Sequence, residues 1–253
     1  MDLLLMDLVQ KIQKTSEAMS FETVSDLLYT QYKVMLLTQE RTITQCINGK
    51  DIIIDQIKVN SLLQPPPFAS LSKVRIGKSR IHGRGVFANV DIKETEIVTF
   101  YPADMVMYNT KPFGDDVENV SLCFLSERCK LHLESKTECQ LVEECLDYRV
   151  NVDKHYSIQA HPSFAQDANF LGHFINDGCI GNMDNMSATE YSQQQPTTTN
   201  CFFAPTKGGL GVTVLATKYI PKDSELFTSY GFPYWMSLRT KKAIGHEKWQ
   251  VRI

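Results

Sequence analysis

The sequence predicts a mainly β fold with α insertions, preceded by a helical N-terminal region. Short apolar runs separated by glycine, proline and charged turn residues recur between residues 74 and 217, which is typical of many short strands. In the first 64 residues, by contrast, leucine and valine recur at helical spacing. The two patterns meet at three consecutive prolines, residues 65–67, which stop a helix and form a stiff connector.

Length, charge and cysteine usage limit the class of protein. The 253 residues are enough for one large domain or for a domain with an extension. A net charge of -3 gives no general reason to expect nucleic-acid binding, and no window approaches the roughly 18 apolar residues of a membrane span. Seven cysteines without a CxxC motif are untypical of a disulfide-bonded secreted protein. We therefore expect an intracellular protein, of nucleus or cytoplasm, without nucleic-acid or membrane partners.

Residues 1–64 are predicted to form a helical extension, followed by the proline-rich connector at residues 65–71. Ser20 can cap a helix with apolar positions from Val24 to Leu36, and an earlier helix is predicted from the apolar residues at positions 4, 5, 8, 9 and 12. Residues 48–49 indicate a turn, and residues 52–59 fit either a helix or a strand. The extension is expected to pack on the main domain. A helical surface that binds a partner stays open as the alternative.

The main domain is predicted over residues 72–232. Its strands are expected at residues 74–76, 86–88, 97–101, 156–160, 200–204 and 211–217. Residues 102 to about 155 form a less regular insert, and the polar, low-complexity residues 181–199 are predicted as an exposed loop. A C-terminal tail, residues 233–253, carries both tryptophans.

A glycine-rich loop with Gly83, Arg84 and Gly85 is the first motif that could carry chemistry. Its letters are close to a dinucleotide-binding fingerprint, but that fingerprint requires a helix after the glycines, and a strand is predicted there instead. Two glycines around one residue let a flat ligand approach the backbone closely. A tight hairpin loop without a ligand is an equally open interpretation.

Two further motifs lie towards the C-terminus. Asn176 carries two donors and one acceptor that can hold an amino or a carboxyl group, whereas His173 taken alone is typical of a hydrogen-bonded structural histidine. Tyr230 follows a predicted buried strand and precedes Gly231, which lets the backbone turn away at close range. This arrangement is suited to directing a phenol into a pocket.

Taken in this order, the motifs resemble those of the SET-domain protein-lysine methyltransferases over about residues 72–232. Residues 83–88 resemble the first family motif and residues 99–101 the strand whose tyrosine lines the lysine channel. Residues 176–177, 200–201 and 225–231 resemble the Asn-His, Asn-Cys and catalytic-tyrosine motifs. The resemblance implies several small sheets with a knot-like C-terminal crossing. It also implies S-adenosyl-L-methionine as the cofactor and a lysine-bearing protein or peptide as the substrate.

The resemblance implies a role for each matching residue. Tyr230 and Tyr101 would be catalytic, and Tyr101, Phe232 and Trp235 are candidates for the wall of the lysine channel. The implied cofactor site consists of Gly83, Arg84, Gly85, His173, Asn176, Asp177, Tyr230 and Phe232.

The sequence departs from the family pattern at four places. Asp177 stands where the family has histidine, so the adenine contact there would rest on backbone groups. Residues 181–199 intervene before the Asn-Cys motif, and no cysteine-rich zinc-binding tail follows Phe232. Thr228 is neither of the aromatic residues that often set the number of methyl groups. These departures leave open a catalytically inactive SET-like module that binds proteins or serves as a scaffold.

A group of cysteines between residues 123 and 145, with His132, raises the question of a zinc site. Their spacings match none of the usual zinc-ligand patterns. The interpretation we adopt is structural thiols and no metal.

Overall fold

The computed structural model describes residues 20–38, 42–47, 50–63, 71–112, 121–131, 137–164, 167–179 and 186–243. The helices are α1 (Phe21–Thr38), α2 (Gln56–Leu63), α3 (Glu127–Leu131), α4 (Glu138–Cys145), α5 (Ala188–Thr198) and α6 (Phe232–Ala243). The strands up to the end of the insert are β1 (Thr42–Ile47), β2 (Lys50–Asp55), β3 (Val74–Lys78), β4 (Arg84–Ala88), β5 (Ile97–Phe100), β6 (Met105–Asn109), β7 (Ser121–Leu125) and β8 (Arg149–Asn151). The later strands are β9 (Tyr156–Gln159), β10 (Asn176–Asp177), β11 (Cys201–Pro205), β12 (Val212–Ala216) and β13 (Phe227–Thr228).

These strands form small separate sheets, which confirms the predicted mainly β fold with helical additions. Within the described residues, the antiparallel sheets have the strand orders β1-β2, β3-β4, β11-β12-β5 and β7-β6-β9-β8, and β10 pairs with β13 in parallel. None of the helices that the structure describes is long and apolar enough to cross a membrane.

Helix α1 packs on the domain, as predicted for the extension. Ser20 caps it, because its Oγ accepts a hydrogen bond from the Thr23 amide at 3.2 Å. Val24 and Leu28 are buried in one apolar cluster with Phe100 of β5. The earlier predicted helix, at positions 4–12, lies outside the described residues.

The predicted helical extension also contains a β-hairpin, of which the sequence indicated only the turn at residues 48–49 and a possible second strand. Strands β1 and β2 pair from Thr42 to Asp55, and helix α2 begins directly after them. Residues 52–59, which fit either a helix or a strand, are therefore divided between the two. Three consecutive isoleucines favour the strand, and Asp55 Oδ1 caps α2 by accepting from the Lys58 amide at 2.9 Å.

The insert is more regular than the sequence predicts. Its strands β6, β7 and β8 join β9 in a four-stranded antiparallel sheet, and Met105 and Val106 of β6 are fully buried. Apolar alternation is weak here because β6 is covered on both sides. Burial therefore made this sheet difficult to recognise from its pattern.

The central strand β12 is buried along its whole length between β11 and β5. This sheet places Tyr101, which directly follows β5 and whose amide donates to the Val212 carbonyl at 2.9 Å. The end of β5 is thereby held against the domain core.

The C-terminal segment that precedes Tyr230 is bound by three distant parts of the chain, as the knot-like crossing requires. The Leu226 amide donates to the Val86 carbonyl of β4 at 2.8 Å. The Phe227 amide donates to Asn200 Oδ1 at 2.8 Å. Strand β13 also lies parallel to β10. The segment therefore runs between β4, β10 and Asn200.

The prediction of an exposed loop at residues 181–199 is wrong for residues 188–198, which form helix α5. Ser187 Oγ accepts from the Glu190 amide at 3.2 Å, and Glu190 Oε2 accepts from the Ser187 amide at 2.8 Å. This capping box has the S-x-x-E spacing that starts helices, but the low-complexity composition of the segment concealed it. Tyr191 of α5 is 1% exposed, whereas residues 188–190, 192–193 and 196–197 are exposed, so one side of the helix packs on the domain and the other faces solvent.

Replacing the cap should destabilise α5 measurably. The substitution Ser187→Ala removes the acceptor for the Glu190 amide and is expected to lower the free energy of unfolding by about 1 kcal/mol. The measurement is urea denaturation followed by circular dichroism. The matched control is Ser237→Ala, an exposed serine that bonds within its own helix. Equal stability of the two variants would contradict the capping assignment.

Candidate functional site

Tyr230 is bonded at both its backbone and its hydroxyl. Its hydroxyl donates to the Ile175 carbonyl at 2.8 Å, and its amide donates to Asp177 Oδ2 at 3.0 Å. The next residue, Gly231, has a φ of 86°, a left-handed conformation that glycine adopts without strain. Burial, with a smaller contribution from neighbouring Tyr234, raises the pKa of Tyr230 well above its ordinary value. The phenol is therefore a protonated donor near neutral pH.

Helix α6 covers Tyr230 with two aromatic side chains. The Trp235 ring stacks on it with a centroid distance of 6.1 Å and an interplanar angle of 21°. The Tyr234 ring meets it edge-on at 5.0 Å. Phe232, for which the resemblance implies a place in the cofactor site, packs towards Tyr191 with a centroid distance of 6.1 Å and is partly buried.

Tyr101 belongs to the same aromatic region as Tyr230. Its ring packs edge-on against His173 and Phe203, with centroid distances of 6.3 Å and 5.3 Å. Burial raises the pKa of Tyr101 well above its ordinary value, and neighbouring Tyr230 and Tyr148 add to the shift. The two predicted catalytic tyrosines are thus electrostatic neighbours.

Tyr148 is a member of this region that sequence reasoning missed. It meets His173 edge-on at 6.2 Å, and its ionisation would raise the pKa values of both Tyr101 and Tyr230. It lies in the insert, between α4 and β8, outside every motif used above. No local signal distinguishes it from the other tyrosines of the sequence.

His173 is a buried, neutral imidazole beside Tyr101. It is 5% exposed, and neither ring nitrogen makes a hydrogen bond of normal geometry with a described residue. Burial is the main cause that lowers its pKa to about 3, and Arg128 and Arg84 add to the shift, while a backbone group of Phe164 opposes it. The expectation of a hydrogen-bonded structural histidine is therefore not met by the described residues.

Gly83, at the end of the β3–β4 loop, and Gly85, in β4, have different surroundings. Gly83 has a φ of 48°, and a Cβ placed on it would meet no atom of a described residue within 4 Å, so these residues leave the space beside its backbone open. A Cβ on Gly85 would come within 2.1 Å of Glu225 Oε1. Gly85 therefore allows the close approach of Glu225. Arg84 lies over the Phe174 ring at 4.3 Å and donates to the Pro162 carbonyl at 2.9 Å.

Asn176 joins this loop to the crossing segment. Its Nδ2 donates to the carbonyls of His82 at 3.1 Å and Arg84 at 3.0 Å, and it lies 3.3 Å from Glu225 Oε1. No described residue donates to its Oδ1. The amide therefore holds the loop with its donors and retains one acceptor.

The Asp177 carboxylate accepts four hydrogen bonds from the protein. Oδ2 accepts from the Tyr191 hydroxyl at 2.6 Å, the Trp235 Nε1 at 2.9 Å and the Tyr230 amide at 3.0 Å. Oδ1 accepts from the Cys179 amide at 2.9 Å. Both carboxylate oxygens are hydrogen-bonded within the protein, so any contact of this residue with a cofactor would be made by its backbone groups.

The groups around the loop are compatible with a polar, cationic ligand such as S-adenosylmethionine. Gly83 borders open space, and Asn176 Oδ1 is an acceptor for an ammonium group. The buried His82 Nε2 has no hydrogen-bond partner among the described residues. An amide oxygen that accepts, together with backbone groups and imidazole nitrogens that can donate or accept, fits the amino and ring groups of such a ligand.

A separate cavity of about 490 Å³ lies between the N-terminal helices and the end of β5. Leu28, Leu62 and Leu63 line one part of it, and residues 100–104 line another. Tyr101 is the one predicted site residue among its lining residues, and none of the residues of the predicted cofactor site is there. The chemistry of the motifs therefore lies outside this cavity.

The described residues contain no group of three potential metal ligands, although His132 lies outside them. Cys129 and Cys145 are fully buried in an apolar cluster with Met105 and Leu141. This packing is that of structural thiols.

Comparisons with known proteins identify the region that contains these groups. A family model described as SET domain matches residues 83–231. A search of the curated proteins finds no match. Among solved structures, the chain is similar to a Plasmodium falciparum protein that carries the name histone methyltransferase, at 19% identity, over 64% of this chain and 96% of that one. The TM-score of this similarity is 0.33.

The neutral state of His173 makes a prediction about acid stability. Its pKa is about 3 in the folded protein and about 6.5 when exposed, so the stability that it contributes is complete above pH 6.5 and is lost as the pH falls towards 3. The variant His173→Gln has no titrating group at this position and lacks this contribution to the pH dependence of the free energy of unfolding. We expect a shallower slope of the free energy of unfolding between about pH 6.5 and 4, measured by urea denaturation at several pH values. An unchanged slope would contradict the burial of a neutral imidazole.

Proposed function

Because this chain belongs to the SET-domain family, we propose that it transfers a methyl group from S-adenosylmethionine to a lysine side chain of a protein. The observation that carries the proposal is the convergence at Tyr230. Its hydroxyl is bonded to the Ile175 carbonyl, directly before Asn176, which in turn holds the glycine loop. This link through residues 175–176 between the glycine loop and the tyrosine motif supports the proposed activity.

In this proposal the cofactor binds beside the β3–β4 loop. Gly83 leaves the space for it, and the Asn176 Oδ1 accepts from its amino group. Arg84, Gly85, His173, Asp177 and Phe232 remain the other proposed contacts, with Asp177 contributing backbone groups only and Phe232 an apolar edge. The bound cofactor would supply an electrophilic methyl group and a sulfonium charge.

The substrate lysine must be neutral to attack, although its pKa is about 10.4 in water. In this proposal the neighbouring aromatic side chains of Tyr101, Tyr148, Tyr230 and Trp235 form an apolar wall for the lysine channel. Such an environment disfavours the ammonium form and lowers the lysine pKa. Holding the amine in line with the methyl group can contribute roughly 7–11 kcal/mol.

Tyr230 is proposed to orient the amine rather than to remove its proton. Burial raises the pKa of Tyr230, so a tyrosinate base is disfavoured at neutral pH. The hydroxyl hydrogen is donated to the Ile175 carbonyl, which leaves the oxygen lone pairs as acceptors. A fixed acceptor of this kind favours the positive charge that is distributed between amine and sulfonium.

The first test is binding and transfer by the purified protein. We expect S-adenosylmethionine to bind in calorimetry, and labelled methyl groups to appear on lysines of proteins in a cell extract. Absence of binding at millimolar cofactor would contradict the enzyme proposal and would support the inactive binding or scaffold module. Binding without transfer to any extract protein would contradict the proposed substrate class.

The substitution Tyr230→Phe tests the proposed role of the hydroxyl. We expect the methyl-transfer rate to fall on the order of 10²-fold, the effect of removing one oriented polar group from a reaction site. Cofactor affinity should stay within a few-fold. Tyr219→Phe is the matched control, because this tyrosine is 56% exposed. Equal rates for the two variants would contradict the assignment.

A pair of glycine substitutions tests the location of the cofactor. Gly83→Ala and Gly208→Ala both place a Cβ at positive φ, 48° and 73°, and should each cost roughly 1–2 kcal/mol of stability. Gly208 packs beside Tyr29 of α1, away from the loop. Only Gly83→Ala should weaken cofactor binding in calorimetry. Equal affinities in the two variants would place the cofactor elsewhere.

A further inference from the structure

Asp177 connects four segments of the chain through one buried carboxylate. Its two carboxylate oxygens accept hydrogen bonds from the Tyr191 hydroxyl of α5, the Trp235 indole of α6, and the amides of Tyr230 and Cys179. The residue is 5% exposed, and the described residues give it no ion pair. A buried carboxylate without a cation depends on such hydrogen bonds for its stability.

Through Tyr191, Asp177 also holds the backbone of Gly231, the residue after Tyr230. The Tyr191 hydroxyl donates to Asp177 Oδ2 at 2.6 Å and accepts from the Gly231 amide at 3.0 Å. It also lies 2.9 Å from Ser229 Oγ. Both amides that define the turn at residues 230–231 are therefore anchored to Asp177, one directly and one through Tyr191.

The same carboxylate holds the aromatic cover of the phenol. Trp235 donates its indole hydrogen to Asp177 Oδ2 at 2.9 Å while its ring stacks on Tyr230. If the carboxylate is removed, both the stacking partner and the backbone anchor of Tyr230 lose their hydrogen bonds. One side chain thus determines two independent constraints on the position of the hydroxyl.

We propose that Asp177, acting with Tyr191 of helix α5, is the positioning residue for the Tyr230 hydroxyl and for the aromatic cover from α6. The expected effect of Asp177 on the methyl-transfer rate rests on the proposed function, whereas its expected effect on the positions of Tyr230 and Trp235 does not. It assigns a purpose to two departures from the family pattern. The acidic residue at position 177 and the segment that contains α5 are complementary, because Tyr191 supplies a donor that this carboxylate needs.

The structural arm of the test uses fluorescence without cofactor. In Asp177→Asn the amide cannot accept from all four donors, so we expect the emission of Trp235 to change as the indole is released. The signal is assigned by comparison with Trp235→Phe. Tyr191→Phe removes one donor and keeps the ring, so it tests the same network if Asp177→Asn does not fold. Thr197→Ala, at an exposed position of α5, is the matched control and should leave the emission unchanged.

The catalytic arm is a double-mutant cycle with Tyr230→Phe. Tyr191→Phe and Asp177→Asn should each lower kcat by up to about 10²-fold, since a displacement of about 1 Å can have that effect, with little change in KM for the cofactor. In the Tyr230→Phe background each should have little further effect on kcat. Asp177→Glu should recover part of the rate, because it retains both carboxylate oxygens.

The outcomes separate this inference from the proposed function. Changed Trp235 emission together with a non-additive cycle supports the positioning role. Additive losses of kcat, or losses that follow only the folded fraction, would overturn it in favour of a general structural role. Unchanged emission in both Asp177→Asn and Tyr191→Phe would also overturn it. A wild-type protein that does not bind S-adenosylmethionine contradicts the proposed function, and the fluorescence arm then still decides whether Asp177 positions the cover of Tyr230.

Discussion

The site depends on the crossing segment before Tyr230 being held from several sides at once. Leu226 is bonded to β4, Phe227 to the side chain of Asn200, and Tyr230 to Asp177. Each of these contacts joins parts of the chain that are far apart in sequence. The crossing consequently brings the glycine loop, the asparagine motif and the tyrosine motif together, although each is a short element with little stability of its own.

Some polar groups at this crossing hold the protein together through hydrogen bonds, and others are left to contact a ligand. The donors of Asn176 and all the acceptors of Asp177 are used to hold the protein together. The described residues leave available the Asn176 Oδ1, the space beside Gly83 and the imidazole nitrogens of His82 and His173. Buried polar groups are costly unless they are bonded, so the few that have no partner are the best indicators of where a ligand would bind.

Sequence patterns predicted the strands and the motif order well and the helix α5 badly. Strands β3, β4, β5, β9, β11 and β12 all lie within one or two residues of their predicted positions. The polar composition around α5 indicated a loop, because low-complexity residues carry no apolar periodicity. Its capping box and the single buried Tyr191 stabilise it as a helix. The β1–β2 hairpin was not predicted, although a turn signal at residues 48–49 lies between its strands, because only the second strand carries an apolar run.

The sequence by itself determined the class of fold and the three motifs, because turn residues, apolar spacing and motif order are local or ordered properties of a chain. Only the tertiary structure decided what Asp177, Tyr148 and His173 contact. Asp177 and its donor Trp235 are 58 positions apart, and Tyr148 reaches the site from the insert. No local pattern encodes such pairings, since they arise from the crossing of the C-terminal segment. The side chain that appeared to be a lost cofactor contact is, in the folded protein, the anchor of Tyr230.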